Sequence, residues 1–100
     1  MQLEFAPLAQ ADLEAIGDCI AQDSPANALH FVQGLRAQCQ KIVMAPMVYV
    51  ARPELAAGLR SCAHGRYVNF FTPDANRVRI ERILHSAMDV AAVRNPNAEV

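Results

Sequence analysis

The sequence predicts an α+β fold: an N-terminal strand and a C-terminal three-strand meander form a mostly antiparallel sheet, and an antiparallel helical hairpin packs on it. Three observations predict this fold. A short segment near the N-terminus alternates polar and apolar residues, two stretches carry apolar residues at helical spacing, and short apolar runs separated by turn residues follow residue 58. This order is typical of one sheet covered by one layer of helices.

The first strand and the first helix lie at the N-terminus. Leu3 and Phe5 alternate with polar residues, so both side chains face one side of a short strand. Pro7 suits the first turn of a helix. The apolar stripe of that helix comprises Ala9, Leu13, Ile16 and Ile20. Gly17 weakens a helix by roughly 1 kcal/mol relative to Ala, so we expect a close crossing against another element there.

A second helix begins at Ser24-Pro25. Ser24 is a favourable N-cap and Pro25 a favourable first helical residue, while Pro46 ends the helix. The link between the two helices is so short that they form an antiparallel hairpin. The apolar face of the second helix comprises Ala28, Phe31, Val32, Leu35, Cys39, Ile42 and Val43. Both stripes are expected to pack on the later sheet.

The meander occupies the stretch from residue 59 to His85. Its three strands are predicted at Leu59–Ala63, Tyr67–Thr72 and Val78–Leu84, with turns at His64-Gly65 and at Pro73-Asp74-Ala75-Asn76. Arg82 shares a face with apolar residues of the last strand, which predicts either a bulge or a second, partly exposed face. The segment from Met47 to Ala57 is predicted to be an ordered loop.

Length and composition indicate one small domain, residues 1–94, followed by a loose tail at 95–100. The chain has 100 residues, of which 53% are hydrophobic and 19% charged. A domain of this size buries a smaller share of its surface than a large one, so this apolar excess is covered by another chain or is absorbed by well-packed, alanine-rich helices. Composition leaves both interpretations open.

Charge is distributed unevenly along the chain. Residues 1–50 carry two basic residues against five carboxylates, a balance of −3, whereas residues 51–100 carry seven arginines against five carboxylates, a balance of +2. The asymmetry favours an acidic partner for the sheet side. It is too weak to indicate a nucleic-acid-binding protein by itself.

The cysteines and the chain start indicate a cytoplasmic protein. Cys19, Cys39 and Cys62 form no CxxC pair, so we interpret them as reduced core residues and expect no metal site. No apolar run approaches the ~18 residues of a membrane span, and the first residues lack the pattern of a secretion signal.

No common catalytic motif is present, whether a P-loop, HExxH, a dinucleotide-binding glycine pattern or a Ser-His-Asp set. A polar set on the predicted sheet remains: Arg60, Arg66, Tyr67, Arg79, Arg82 and His85. Arginines bind phosphate or carboxylate, and a histidine serves as a general acid or base. The structural alternatives stay open, since Arg79 also fits a cross-strand pair with Glu81 and Tyr67 fits a half-buried strand position.

The chain resembles ParE toxins of the RelE/ParE superfamily, from bacterial type II toxin–antitoxin modules. The matching stretches, which together span Pro7 to Val90, are PLAQADLEAIGDCIAQDSPANALHFVQGL, RPELAAGLRSCAHGRYVNFFT and VRIERILHSAMDV. This chain departs from the family pattern at Cys19, where an aromatic residue is frequent, at Ala56, where glycine is frequent, and at Asn69, which interrupts an apolar strand.

The resemblance implies a cytoplasmic, non-enzymatic inhibitor of DNA gyrase that acts in plasmid maintenance or stress response, needs no cofactor and is neutralised by a ParD-type antitoxin in a hetero-oligomer. It implies neither sequence-specific nucleic-acid binding nor membrane binding. The implied target-binding residues are Arg60, Arg82, His85, Met88 and Asp89. The implied antitoxin-binding residues are Leu13, Ile16, Phe31, Leu35, Tyr67 and Phe71. The alternatives are a RelE-type, ribosome-dependent mRNA endonuclease that uses Arg60, Arg82 and His85, or an inactive member that only binds antitoxin.

Overall fold

A computed structural model describes residues 2–86 of the chain. The elements are β1 (Gln2–Phe5), α1 (Pro7–Asp23), α2 (Pro25–Met44), a 3₁₀ turn (Pro46–Val48), β2 (Val50–Ala51), β3 (Arg60–His64), β4 (Tyr67–Pro73) and β5 (Arg77–His85). They form one five-stranded sheet in the order β1-β5-β4-β3-β2, in which β1 runs parallel to β5 and the other neighbours are antiparallel. The predicted α+β fold is confirmed.

The helix boundaries follow the capping chemistry of the sequence. The Ser24 Oγ accepts a hydrogen bond from the backbone N–H of Asn27 at 3.2 Å, and Pro25 is the first residue of α2. The α2 helix ends at Met44, two residues before Pro46. Because only Ser24 separates the two helices, they form the predicted antiparallel hairpin.

The main core lies between the hairpin and the sheet. Leu35, Cys39 and Ile42 of α2 are almost fully buried there. They pack in the same cluster as the sheet residues Phe71, Val78, Ile80 and Ile83. The sheet is therefore the surface that buries the helical stripes, as predicted.

A smaller core lies on the opposite face of the sheet. Leu55 and Leu59 come from the segment before β3 and pack with Phe70 and Leu84. This segment was predicted to be only an ordered loop, but it also contributes Val50–Ala51 to the sheet as β2. A strand of two residues is too short to show an alternating pattern, and Pro46 and Pro53 lie on either side of it, so the sequence did not reveal this strand.

A bulge in β5 explains the position of Arg82. Phe70 pairs with Arg82 and Phe71 pairs with Ile80, so Glu81 is the extra residue. The bulge shifts the side-chain alternation, and Ile80 and Ile83 thereby both reach the core on the helix side. Of the two explanations that the sequence left open, the bulge is the correct one.

Two expectations for single residues are wrong. An added Cβ at Gly17 would meet nothing within 4 Å, so no close crossing occurs there; the close approach is at Gly34, where an added Cβ would lie 3.1 Å from the Cε1 of His64. Cys19 is exposed on α1 rather than in the core, whereas burial raises the pKa of the Cys39 and Cys62 thiols.

Candidate functional site

Arg82 is held by a carboxylate of α1. Its Nε lies 2.7 Å from Oδ2 of Asp12 and its Nη2 lies 3.0 Å from Oδ1, and both side chains are only 15% exposed. The same Oδ2 accepts the backbone N–H of Ile83 at 3.0 Å. β1 pairs with β5 only from Arg77 to Ile80. Beyond Ile80, the Asp12 carboxylate binds the same edge of β5 through the Ile83 N–H. This bidentate pair fixes the C-terminal half of β5 to the first helix.

The other two arginines of β5 are also paired. Arg77 forms ion pairs with Glu4 and with Asp74, and Arg79 lies 3.6 Å from both Glu4 and Glu81. Arg79 and Glu81 are in contact, but both lie on β5, so this is not the predicted cross-strand pair; the cross-strand partner of Arg79 is Glu4. The arginine surplus of the second half of the sequence is therefore largely neutralised on β5 by carboxylates of β1, α1, the turn and β5 itself.

The turn before β5 contains one of these carboxylates. The backbone N–H groups of Asn76 and Arg77 donate to Oδ1 of Asp74 at 2.8 and 2.9 Å. These backbone hydrogen bonds, with a smaller contribution from the Arg77 charge, hold the pKa of Asp74 below its ordinary value. The predicted turn is thus closed by its own aspartate.

Arg60 lies on β3, next to the edge strand β2. Its Nη1 donates to the backbone carbonyl of Tyr49 at 2.6 Å and to that of Met47 at 3.4 Å. The guanidinium therefore supports the chain that connects α2 to β2. Arg60 is a cation on the sheet, as predicted, and it also has a structural role. Its contact with a target stays a prediction.

His85 belongs to a row of rings across three strands. His64 pairs with Tyr67, and Tyr67 pairs with His85, so the three side chains share one side of the sheet. The Tyr67 ring lies 5.4 Å from that of His85 and 5.2 Å from that of Phe31, which also lies 5.4 Å from the His64 ring. His85 is exposed at the end of this row, whereas Tyr67 is half-buried.

The backbones of the three residues of the predicted nuclease set lie at separate places on the sheet. Arg82 and His85 lie three residues apart along β5, which corresponds to about 10 Å. Arg60 lies two strands away from β5, a similar distance across the sheet. Met88 and Asp89, the remaining predicted target-binding residues, lie outside the described residues, as does the predicted tail at 95–100.

The predicted antitoxin-binding residues fall into two groups. Leu35 and Phe71 are 1% and 0% exposed and belong to the core of the chain itself. The other four, Leu13, Ile16, Phe31 and Tyr67, are partly buried at the margin of that core. Antitoxin contact stays a prediction for this set.

Sequence reasoning missed a surface at the opposite edge of the sheet. Four apolar side chains around β2 are 65–85% exposed: Met44, Met47, Val48 and Val50. We call these four residues the β2-edge patch. The signal was the run of methionine and valine around Pro46, which breaks both the helical and the strand pattern.

Metal-binding clusters and membrane-spanning helices are both absent from residues 2–86. Within them, no group of three or more His, Cys, Asp or Glu side chains is arranged to hold a metal ion. In the same part of the chain, no helix combines the length and the apolar character that a membrane crossing requires.

Comparison with solved structures and families identifies the class. A chain from a solved structure described as "Chromosomal ParDE TA system from P. aeruginosa" superposes with a TM-score of 0.72 and 26% sequence identity, covering 85% of this chain and 95% of that chain. A search of curated proteins found no match. The fold is therefore that of a component of a ParDE toxin–antitoxin system.

The family follows from the sequence profile. Residues 3–90 match the ParE toxin of the type II toxin–antitoxin system, parDE. The chain belongs to this family of ParE toxins, as its resemblance implied.

Proposed function

We propose that this chain is a cytoplasmic, non-enzymatic toxin that inhibits DNA gyrase and is neutralised by a ParD-type antitoxin. Membership of the ParE family supports the toxin role, and the similar P. aeruginosa structure belongs to a paired ParDE system. The inhibitory contact involves His85 and the residues that follow it, including Met88 and Asp89.

The Asp12–Arg82 pair is the main observation that disfavours RNA cleavage. An mRNA endonuclease needs cations that bind phosphate beside an acid and a base. Here both oxygens of Asp12 bind the guanidinium of Arg82, so a phosphate has to displace a carboxylate that is only 15% exposed. Arg82 then serves the toxin by holding the end of β5, from which the target-binding segment departs.

Two assays with the same purified toxin test the proposal. In the first, the toxin is added to a gyrase supercoiling reaction; in the second, to ribosomes translating a defined mRNA. We expect loss of supercoiling with intact mRNA. Cut mRNA with normal supercoiling contradicts the proposal and favours the RelE-type alternative.

A matched pair of variants sharpens this test. Arg60→Ala and His85→Ala each remove a residue that both the gyrase contact and the endonuclease alternative use. The Arg60 side chain is engaged by the carbonyls of Met47 and Tyr49, whereas that of His85 is exposed. We expect His85→Ala to weaken gyrase inhibition more than Arg60→Ala does, with neither variant affecting mRNA. Soluble, folded toxin that acts in neither assay indicates an inactive member.

A further inference from the structure

The β2-edge patch combines two features of a docking surface. Its four apolar side chains, Met44, Met47, Val48 and Val50, lie close together in the chain and are 65–85% exposed. Monomeric proteins rarely expose several large apolar side chains in one place, so such a cluster indicates a contact site. Methionine is flexible and adapts its shape to a partner. One of its residues, Val50, lies on β2, which ends the sheet order opposite β1.

The backbone at this edge has a polar group pointing outward. The N–H of Arg52 donates to the carbonyl of Leu59 at 2.7 Å, towards β3. Successive amides of a strand point to opposite sides, so the N–H of Ala51 points away from β3, to the open edge. An extended segment of another chain can pair with it, as in strand addition to a sheet edge.

The charges around the patch specify the sign of the partner. Lys41 is exposed one turn before Met44 on α2, and within residues 2–86 no carboxylate lies at ion-pair distance from it. Arg60 lies against the backbone carbonyls of Met47 and Tyr49. The carboxylate of Glu54 at this edge is bound by Arg52 at 2.8 Å. The patch therefore has a cationic rim.

A second copy of the chain does not satisfy this rim. A two-fold symmetric contact through β2 places Lys41 and Arg60 of one copy near the same cations of the other, which is unfavourable. A head-to-tail contact with β1 meets Glu4, whose carboxylate is engaged by Arg77 and Arg79. An outside segment with its own carboxylates fits better.

We infer that the β2-edge patch binds an extended segment of the antitoxin in which apolar side chains alternate with or flank carboxylates. This inference rests on the proposed neutralisation by a ParD-type antitoxin and assigns it a surface outside the residues named from the resemblance. Apolar contacts provide the affinity, the cationic rim selects an acidic segment, and the Ala51 amide sets its register.

Binding of purified toxin variants to a purified ParD-type antitoxin that binds the wild-type toxin tests the inference. We expect Val48→Asp to raise the Kd by at least about tenfold and Lys41→Glu by about fivefold at low salt. The matched controls are Leu29→Asp and Arg36→Glu, at exposed positions of α2 that lie away from the patch. We expect both controls to bind within about twofold of the wild type.

A second measurement does not depend on the variants. Hydrogen exchange of the wild-type complex is expected to show slowed exchange of the Ala51 amide relative to the free toxin.

The outcomes separate the two proposals. Wild-type binding that is unaffected by Val48→Asp and Lys41→Glu, with unchanged exchange at Ala51, overturns the inference and leaves the proposed function standing. Absence of any wild-type complex contradicts the proposed neutralisation itself. A dimer of free toxin that Val48→Asp dissociates shows that a second copy covers the patch, and this also overturns the inference.

Discussion

Arg82 and Arg77 show how differently two arginines of one strand contribute to stability. Arg82 shares a bidentate contact with Asp12 at 15% exposure of both side chains, whereas Arg77 is 44% exposed in its pairs with Glu4 and Asp74. Removal of one partner from a largely buried pair leaves an uncompensated charge, while exposed pairs contribute little.

The first prediction compares these two arginines. We expect Arg82→Ala to lower the free energy of unfolding by about 3 kcal/mol, because the Asp12 carboxylate is left without its cation. Arg77→Ala is expected to cost less than about 1 kcal/mol. Urea denaturation measures both; equal losses in the two variants contradict the structural role of the Asp12–Arg82 pair.

Asn69 is a polar residue in the main core. Its Nδ2 donates to Oε1 of Gln38 at 3.3 Å and lies 3.6 Å from the Sγ of Cys39, but its buried Oδ1 has no hydrogen-bond partner among the described residues. An unsatisfied buried acceptor is unfavourable, so this departure from the family pattern has a cost in stability.

The second prediction follows from that acceptor. Asn69→Val removes the unpaired oxygen and introduces a side chain suited to a central strand, so we expect the unfolding free energy to rise by about 1 kcal/mol. Thermal unfolding followed by circular dichroism measures the change. A loss of stability in Asn69→Val shows instead that the contact with Gln38 outweighs the orphaned oxygen.

At the scale of the elements, the two helical glycines differ in what surrounds them. Gly17 of α1 has open space where a side chain would project, whereas Gly34 of α2 lies against the ring of His64 on β3. Because Gly34 has no side chain, α2 can approach His64 of β3 closely.

The third prediction uses these two positions. Gly17→Ala is expected to stabilise the protein by roughly 1 kcal/mol through helix propensity alone. Gly34→Ala gains less or destabilises, because the new methyl group meets His64 Cε1 at 3.1 Å. In a His64→Ala background the gain at Gly34 is expected to return, and a double-mutant cycle measures it. Equal gains at both glycines in the native background speak against a tight contact.

The elements also show what the sequence predicts well and what it does not. Ser24-Pro25 and Asp74 act through neighbours a few residues away, so the helix link and the last turn were predictable. The Asp12–Arg82 pair joins residues 70 positions apart, and no local pattern reveals it. For the same reason, the charge count along the chain did not reveal how far the arginines of β5 are neutralised. The β2-edge patch was not predicted, because the strand beside it has only two residues.

At the scale of the whole molecule, the apolar excess of the sequence has a location. Among residues 2–86, most large apolar side chains pack in or against two cores, whereas the β2-edge patch, together with Leu8 and Leu29 on the helices, is exposed. Of the two interpretations that composition left open, these four exposed side chains favour coverage by another chain, which stays a prediction.

The fourth prediction concerns the free chain. We expect the toxin expressed alone to aggregate or to accumulate poorly, and co-expression with its antitoxin to restore soluble protein, because the partner covers exposed apolar surface. Fractionation of lysates and size-exclusion chromatography measure this. A free monomer that stays soluble at high concentration contradicts the need for a covering partner.

The central claim is that this ParE-family chain acts by inhibiting gyrase. A supercoiling reaction titrated with purified toxin, with and without its ParD-type antitoxin, tests this claim most directly. We expect a dose-dependent loss of supercoiled product with accumulation of cleaved DNA–gyrase complexes, both reversed by a molar equivalent of antitoxin. Unimpaired supercoiling at toxin in large excess over gyrase, from protein shown to be folded, contradicts it.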